Sequence, residues 1–140
     1  MTGALSAILI FGASLLALLQ FFAFYCHSLV VKSRRYELSE HAREVSGVTA
    51  RNMRGDQFKR LLQLIALCPE PREDGYPLGV VSAYFGLLGF ARVLLSWIVP
   101  AAGKWIDSEL GGCSYLAAVV LDRRIACSRM LIARQAVPLV

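Results

Sequence analysis

Glu37, Glu40, His41 and Glu44 crowd into one short stretch, and Glu37, His41 and Glu44 share a face if that stretch is helical. Carboxylates and an imidazole at such spacing can hold a metal ion. The run lacks the HExxH order, however, and Arg35 and Arg43 alternate with the acids, so a solvated, salt-bridged face without metal is the expected reading. Cys26, Cys68, Cys113 and Cys127 stand far apart with no CxxC pair. That spacing argues against zinc and against a disulfide framework, and leaves four small buried thiols. The Cys68–Pro69 pair could present a thiolate, but a helix stop accounts for it. No GxxxxGK[ST] or GxGxxG phosphate-binding run and no GxSxG nucleophile turn occurs. The expectation is a chain with no catalytic residues.

Two ionisable side chains remain, each inside an apolar block. His27 lies in "AFYCH", with Ala23 one turn earlier, and a neutral imidazole there can ligate haem iron or a chlorophyll magnesium. These five residues, a small residue and then His in a lone apolar helix, resemble light-harvesting polypeptides. The resemblance implies a haem or chlorophyll-type pigment at His27. The competing reading, which is the one expected, is a solvated or hydrogen-bonded His near the interface with no cofactor. Arg92 is the one charge in "GVVSAYFGLLGFARVLLSWIVPAA". Intramembrane charges are functional candidates, here for an anionic headgroup, a quinone oxygen or a neighbouring acid. An ion pair or carbonyl contact that only fixes assembly is the simpler expectation.

These side chains need elements to position them, and composition indicates which kind. Apolar residues make up 56% of the 140 and charged ones 18%, against about half and a quarter in soluble domains. The apolar excess sits in two blocks, which points to a membrane protein. Net charge is +5, and all 15 Lys and Arg follow Val31. Lys32, Arg34 and Arg35, in "KSRRY", directly abut the first block, so anionic lipid headgroups rather than nucleic acid are the expected partner.

The first block, Ala4 to Val31, exceeds the roughly 20 residues a bilayer core requires. It is read as a retained transmembrane anchor (residues 1–31), because Met1-Thr2-Gly3 supplies no positive n-region and no small-x-small site follows cleanly. Its flanking charges place the N-terminus outside and residues 32–77 in the cytoplasm, most naturally at a bacterial inner membrane. Residues 32–68 form a charged amphipathic helical segment, with Asp56 as an N-cap and Phe58, Leu61, Leu62 and Ile65 repeating at i, i+3, i+4, i+7. Residues 69–77, with three prolines, form a linker.

The second block, residues 78–102, is energetically marginal as a span. Each Leu, Ile, Val or Phe contributes roughly −0.3 to −0.6 kcal/mol, while a central Arg costs about 2.5 to 3.5. Ser82, Gly89, Arg92, Ser96 and Gly103 fall along one side, and Gly79, Gly86 and Gly89 read as helix-contact residues. A helix this apolar all round needs lipid or a partner to cover it. Residues 103–140 carry an amphipathic helix from about Cys113 to Gln135, whose seam of Ser114, Ala118, Leu121, Ile125, Ser128 and Ile132 reads as a protein contact.

The expected architecture is all-α, an integral membrane protein with one clear span, one marginal transmembrane helix and amphipathic helices. The expected function is that of a non-catalytic accessory subunit of a larger, energy-converting membrane complex, respiratory or photosynthetic. It would pack against larger integral membrane subunits and lipid, with Phe58, Leu61, Leu62 and Ile65 as a docking face and Arg92 as a lock. The alternatives are a pigment- or haem-binding polypeptide using His27 and a self-associating membrane scaffold.

Overall fold

A computed structural model describes residues 2–46, 55–69, 75–95 and 97–136. Five helices appear in it, and no strand among the described residues: α1 (Thr2–Ser33), α2 (Glu40–Ser46), α3 (Gly55–Leu67), α4 (Leu78–Leu95) and α5 (Pro100–Ala136). Among them α1, over Gly3–Ser33, and α4 are long and apolar enough to cross a membrane.

The organising element is α5. Its stretch from Glu109 to Asp122 is buried on nearly every side, Tyr115 alone being half-buried. The C-terminal end of α1, α3 and α4 all pack on it, and α2 touches it more lightly. This differs from the expected amphipathic helix beginning near Cys113. Gly111 and Gly112 suggest a break, since each costs about 1 kcal/mol in a helix interior. Tertiary burial overrides that cost here. A methyl group at Gly112 would collide with Cγ1 of Val30 and stand 3.1 Å from the Arg34 guanidinium. Gly112 is therefore the crossing point at which α1 seats on α5. By contrast nothing lies within 4 Å of a methyl placed at Gly79, Gly86 or Gly89. The small-residue contact expected on α4 falls on α5 instead.

The second apolar block is also shorter than its composition implies. Helix α4 ends at Leu95, where the N–H groups of Ile98 and Val99 donate to the Leu95 carbonyl at 3.0 and 2.9 Å, and Pro100 opens α5. Pro100 acts as a first-turn residue, the position its fixed φ and missing N–H suit. The expected single helix over 78–102 is thus a helical hairpin. Its inner face is Val81, Tyr84 and Leu88, spaced at i, i+3, i+7.

On α3 the expected periodicity is present, but it faces inward. Phe58, Leu61 and Ile65 are buried and Leu62 is half-buried, against the chain's own core, and Phe58 stacks on Phe85 of α4 at 4.1 Å. The face assigned to a partner is occupied by α5 and α4. Only Glu40–Ser46 of the preceding polar segment is described as helix, and the side chains of His41 and Asp56 lie outside the described residues. Ser39 caps α2, accepting from the Ala42 N–H at 3.3 Å through Oγ.

The opposing behaviour of two glycines tests this packing. Replacing Gly86 with Ala should raise stability by up to about 1 kcal/mol through helix propensity alone. Gly112→Ala gains the same propensity but must displace Val30, an overpacking cost of about 1–3 kcal/mol, so thermal unfolding in detergent should show a net loss.

Candidate functional site

Where α1, α4 and α5 meet, three polar side chains converge inside an apolar surround. The Glu109 side chain on α5 is only 4% exposed. One carboxylate oxygen lies 2.9 Å from His27 Nδ1 on α1, and the other accepts from the Tyr84 hydroxyl of α4 at 3.3 Å. A carboxylate this buried costs several kcal/mol to desolvate unless paired. His27 and Tyr84 supply that pairing from two different helices, so the cluster ties α1 and α4 to α5 at one point. Phe22 packs edge-on against Tyr84 at 6.2 Å and closes the apolar side. Cys26 and Cys113 are buried, and all four cysteines are free thiols.

Burial, reinforced by the Glu109 charge, pushes the Cys113 thiol up to about 12. The folded chain therefore keeps a proton that an unfolded chain releases near 9. This contribution is intact below pH 9 and declines as pH rises toward 12.

Further along α5 a second set of polar contacts fixes the connecting segments. Asp122 accepts from the Ser39 N–H at 3.1 Å and the Ser39 hydroxyl at 2.6 Å, which holds the start of α2. The Tyr115 hydroxyl donates to the Tyr36 carbonyl at 2.6 Å. Arg124, buried, donates to the Ile65 carbonyl at 3.2 Å near the end of α3, where a cation suits the helix dipole. The Arg123 guanidinium lies over the rings of Tyr36 and Tyr76, 5.3 and 5.1 Å from their centroids. Helices α2 and α3 and the chain before α4 are tied by Asp122, Arg124 and Arg123 to a single turn of α5.

The residues singled out in the sequence are distributed as follows. His27 is held by Glu109 and is 43% exposed. Arg92 pairs with Asp107 at 3.1 Å within the hairpin, both side chains about half exposed, an ion pair worth at most about 1 kcal/mol. Arg34 donates to the Ser108 carbonyl at 3.0 Å, while Lys32 and Arg35 are exposed. Glu109 and Asp122 were not legible as site residues, because their partners stand 82 and 83 positions away. No group of three or more His, Cys, Asp or Glu is placed to hold a metal among the described residues. The arrangement is one of helix clamps.

No protein family, curated protein or solved structure matches the chain.

Thiol reactivity reads this geometry directly. At pH 8, iodoacetamide should modify the half-buried Cys68 and Cys127 at least tenfold faster than Cys113, as followed by mass spectrometry, and denaturant should abolish the difference. Glu109→Ala leaves His27 and Tyr84 without their shared acceptor. It should cost about 1–3 kcal/mol, more than Tyr84→Phe, which deletes a single long hydrogen bond.

Proposed function

We propose that the chain is a membrane-anchored, non-catalytic accessory subunit, held in the bilayer by α1 alone. The observation that carries this reading is the bare surface of α1. From Leu5 to Phe21 its large apolar side chains are exposed, as is Phe24 at 72%; Phe22 alone among the large side chains up to Phe24 packs on another helix. Water cannot be the solvent of so long an apolar cylinder without a large hydrophobic penalty. Lipid and the helices of larger integral membrane subunits are its covering.

Helix α4 passes the same test of length and composition, but its neighbours argue against a second crossing. The elements before it, α2, α3 and the end of α1, pack on α5, the element after it. If α4 crossed, α5 would begin on the side of the bilayer opposite α2 and α3, with which it is in contact. A single crossing also leaves all 15 Lys and Arg on one side, whereas two crossings divide them, with nine in residues 32–77. One-sided positive charge marks the cytoplasmic face, so the N-terminus is outside. With Phe58, Leu61 and Ile65 turned inward, contact with the partner subunits falls to α1.

A second reading draws on one contact. Metal-ligating imidazoles commonly have one ring nitrogen oriented by a carboxylate. Glu109 stands in that relation to His27, leaving Nε2 for haem or pigment iron or magnesium. A visible absorption band in the purified protein, lost in His27→Ala, would establish this reading, and a colourless protein would dismiss it.

The accessory role is tested by purification of the tagged full chain in mild detergent. Larger membrane proteins should accompany it in fixed stoichiometry. Replacing residues 4–22 with a Leu/Ala span of equal length should retain membrane localisation in alkaline carbonate and lose those companions. A lone monodisperse species, or a chain extracted by carbonate, would refute the proposal.

A further inference from the structure

We infer that the tip of the α4–α5 hairpin rests in the interfacial zone of the same bilayer that α1 crosses, on the leaflet facing the helical body. The inference extends the single-anchor reading and rests on it.

The depth of the tip follows from two contacts. His27 pairs with Glu109 across 82 positions, and Val30 seats on Gly112, 112 − 30 = 82 positions on. A constant offset means that α1 and α5 run parallel and in register here. Extended toward their N-termini, the register sets Asp107 level with Tyr25, Lys104 with Phe22 and Pro100 with Leu18. A bilayer core of about 30 Å takes about 20 residues of helix. Counted from Gly3, that length ends at Phe22. The first ionisable groups met below this level are Lys104, the Arg92–Asp107 pair and His27, which is where headgroups and water replace hydrocarbon. Lys32, Arg34 and Arg35 stand farther off, Lys32 about 15 Å beyond Phe22 at 1.5 Å per residue. Headgroup contact thereby shifts from these three to Lys104.

The turn between α4 and α5 lies at or above the level of Leu18, about 6 Å inside that boundary. This matches the 5–10 Å to which interfacial helices bury their apolar faces. The side chains there are suited to the place. Phe90, Val93 and Leu94 recur at i, i+3, i+4 on the side of α4 away from the Val81–Tyr84–Leu88 face, and Trp97 follows in the turn beyond Leu95. All four are exposed, with Trp97 at 94%, and Ile98 continues the patch. Trp105, also exposed, and Lys104 sit just below. Indole rings beside a lysine at the end of an apolar patch make the composition of a membrane–water interface. The occupant of the patch is lipid, because the register carries it alongside α1, the exposed apolar helix of the single-anchor reading.

The two tryptophans allow a direct test, since removing one leaves a single reporter. The full chain carrying Trp105→Phe, which reports from Trp97, is reconstituted in phosphatidylcholine/phosphatidylglycerol vesicles with nitroxide at lipid carbon 5 or 12. A second protein, Trp97→Phe/Trp105→Phe/Phe11→Trp, serves as a depth ruler on α1. Trp97 should be quenched at least twofold more by the shallow label than by the deep one, and several-fold less by aqueous acrylamide than free tryptophan. The ruler should favour the deep label. If the ruler behaves so while Trp97 is quenched by acrylamide and by neither lipid, the hairpin lies in water and the inference fails. Stronger quenching of Trp97 by the deep label makes α4 a crossing helix and also overturns it. A ruler that reports water removes the α1 anchor, and with it this inference.

Discussion

The seating of α1 on α5 is the constraint from which the rest of the arrangement follows. At Gly112 the absence of a side chain brings Val30 and Arg34 against the α5 backbone. One turn away His27 and Glu109 lock the same register. An apolar contact alone leaves helices free to slide, because packing of small and branched residues recurs every turn. A buried carboxylate has few places where its oxygens find partners, so it selects one register among several. Packing supplies the affinity between the helices and Glu109 supplies their alignment.

From that alignment the remaining helices are placed by polar ties along α5. Ser39 to Asp122, Tyr36 to Tyr115 and Ile65 to Arg124 are contacts between shorter helical or irregular segments and about three turns of one long helix. Helix α2, Glu40–Ser46, is too short to persist in isolation. Its N-cap residue is at the same time the ligand of Asp122, so helix initiation and docking are a single event. The apolar core, Phe58, Leu61, Ile65, Val81, Tyr84 and Leu88 around Ile106–Leu121, fills the space those ties enclose.

The sequence is legible wherever one face of a helix meets one environment. The i, i+3, i+4, i+7 run at Phe58–Ile65 and the uninterrupted block at Ala4–Val31 give α3 and α1 within a few residues. It is illegible where burial is all round. The middle of α5 mixes Glu109, Gly111, Gly112, Ser114 and Asp122 with aliphatics; Ser114 is satisfied locally by the Leu110 carbonyl, but only partners distant in sequence explain why Glu109 and Asp122 are inside. The seam from Ser114 to Ile132 was visible as a spacing, yet Ser114, Ala118 and Leu121 are buried and Ile132 is exposed, a change no periodicity encodes. Likewise only Ser96 interrupts the apolar run Leu95–Val99, so the clearest signal of the reversal there is Pro100. For the polar cluster, residue type was informative at His27, whereas its acceptor could be found only in three dimensions.

Rigid alignment also has a mechanical side. Beyond the crossing at Gly112, α5 continues for a further 24 positions to Ala136, about 36 Å of helix at 1.5 Å per residue. Past Cys127 and Ser128 its side chains are exposed, so this end projects as an arm. Because α1 and α5 are clamped in parallel, the pair moves as one lever. Helix tilt answers to hydrocarbon thickness, and a tilt of about 10° swings the far end of the arm by roughly 6 Å. Under the single-anchor reading proposed above, any change in the tilt of α1 is carried by this lever to the C-terminal turns of α5.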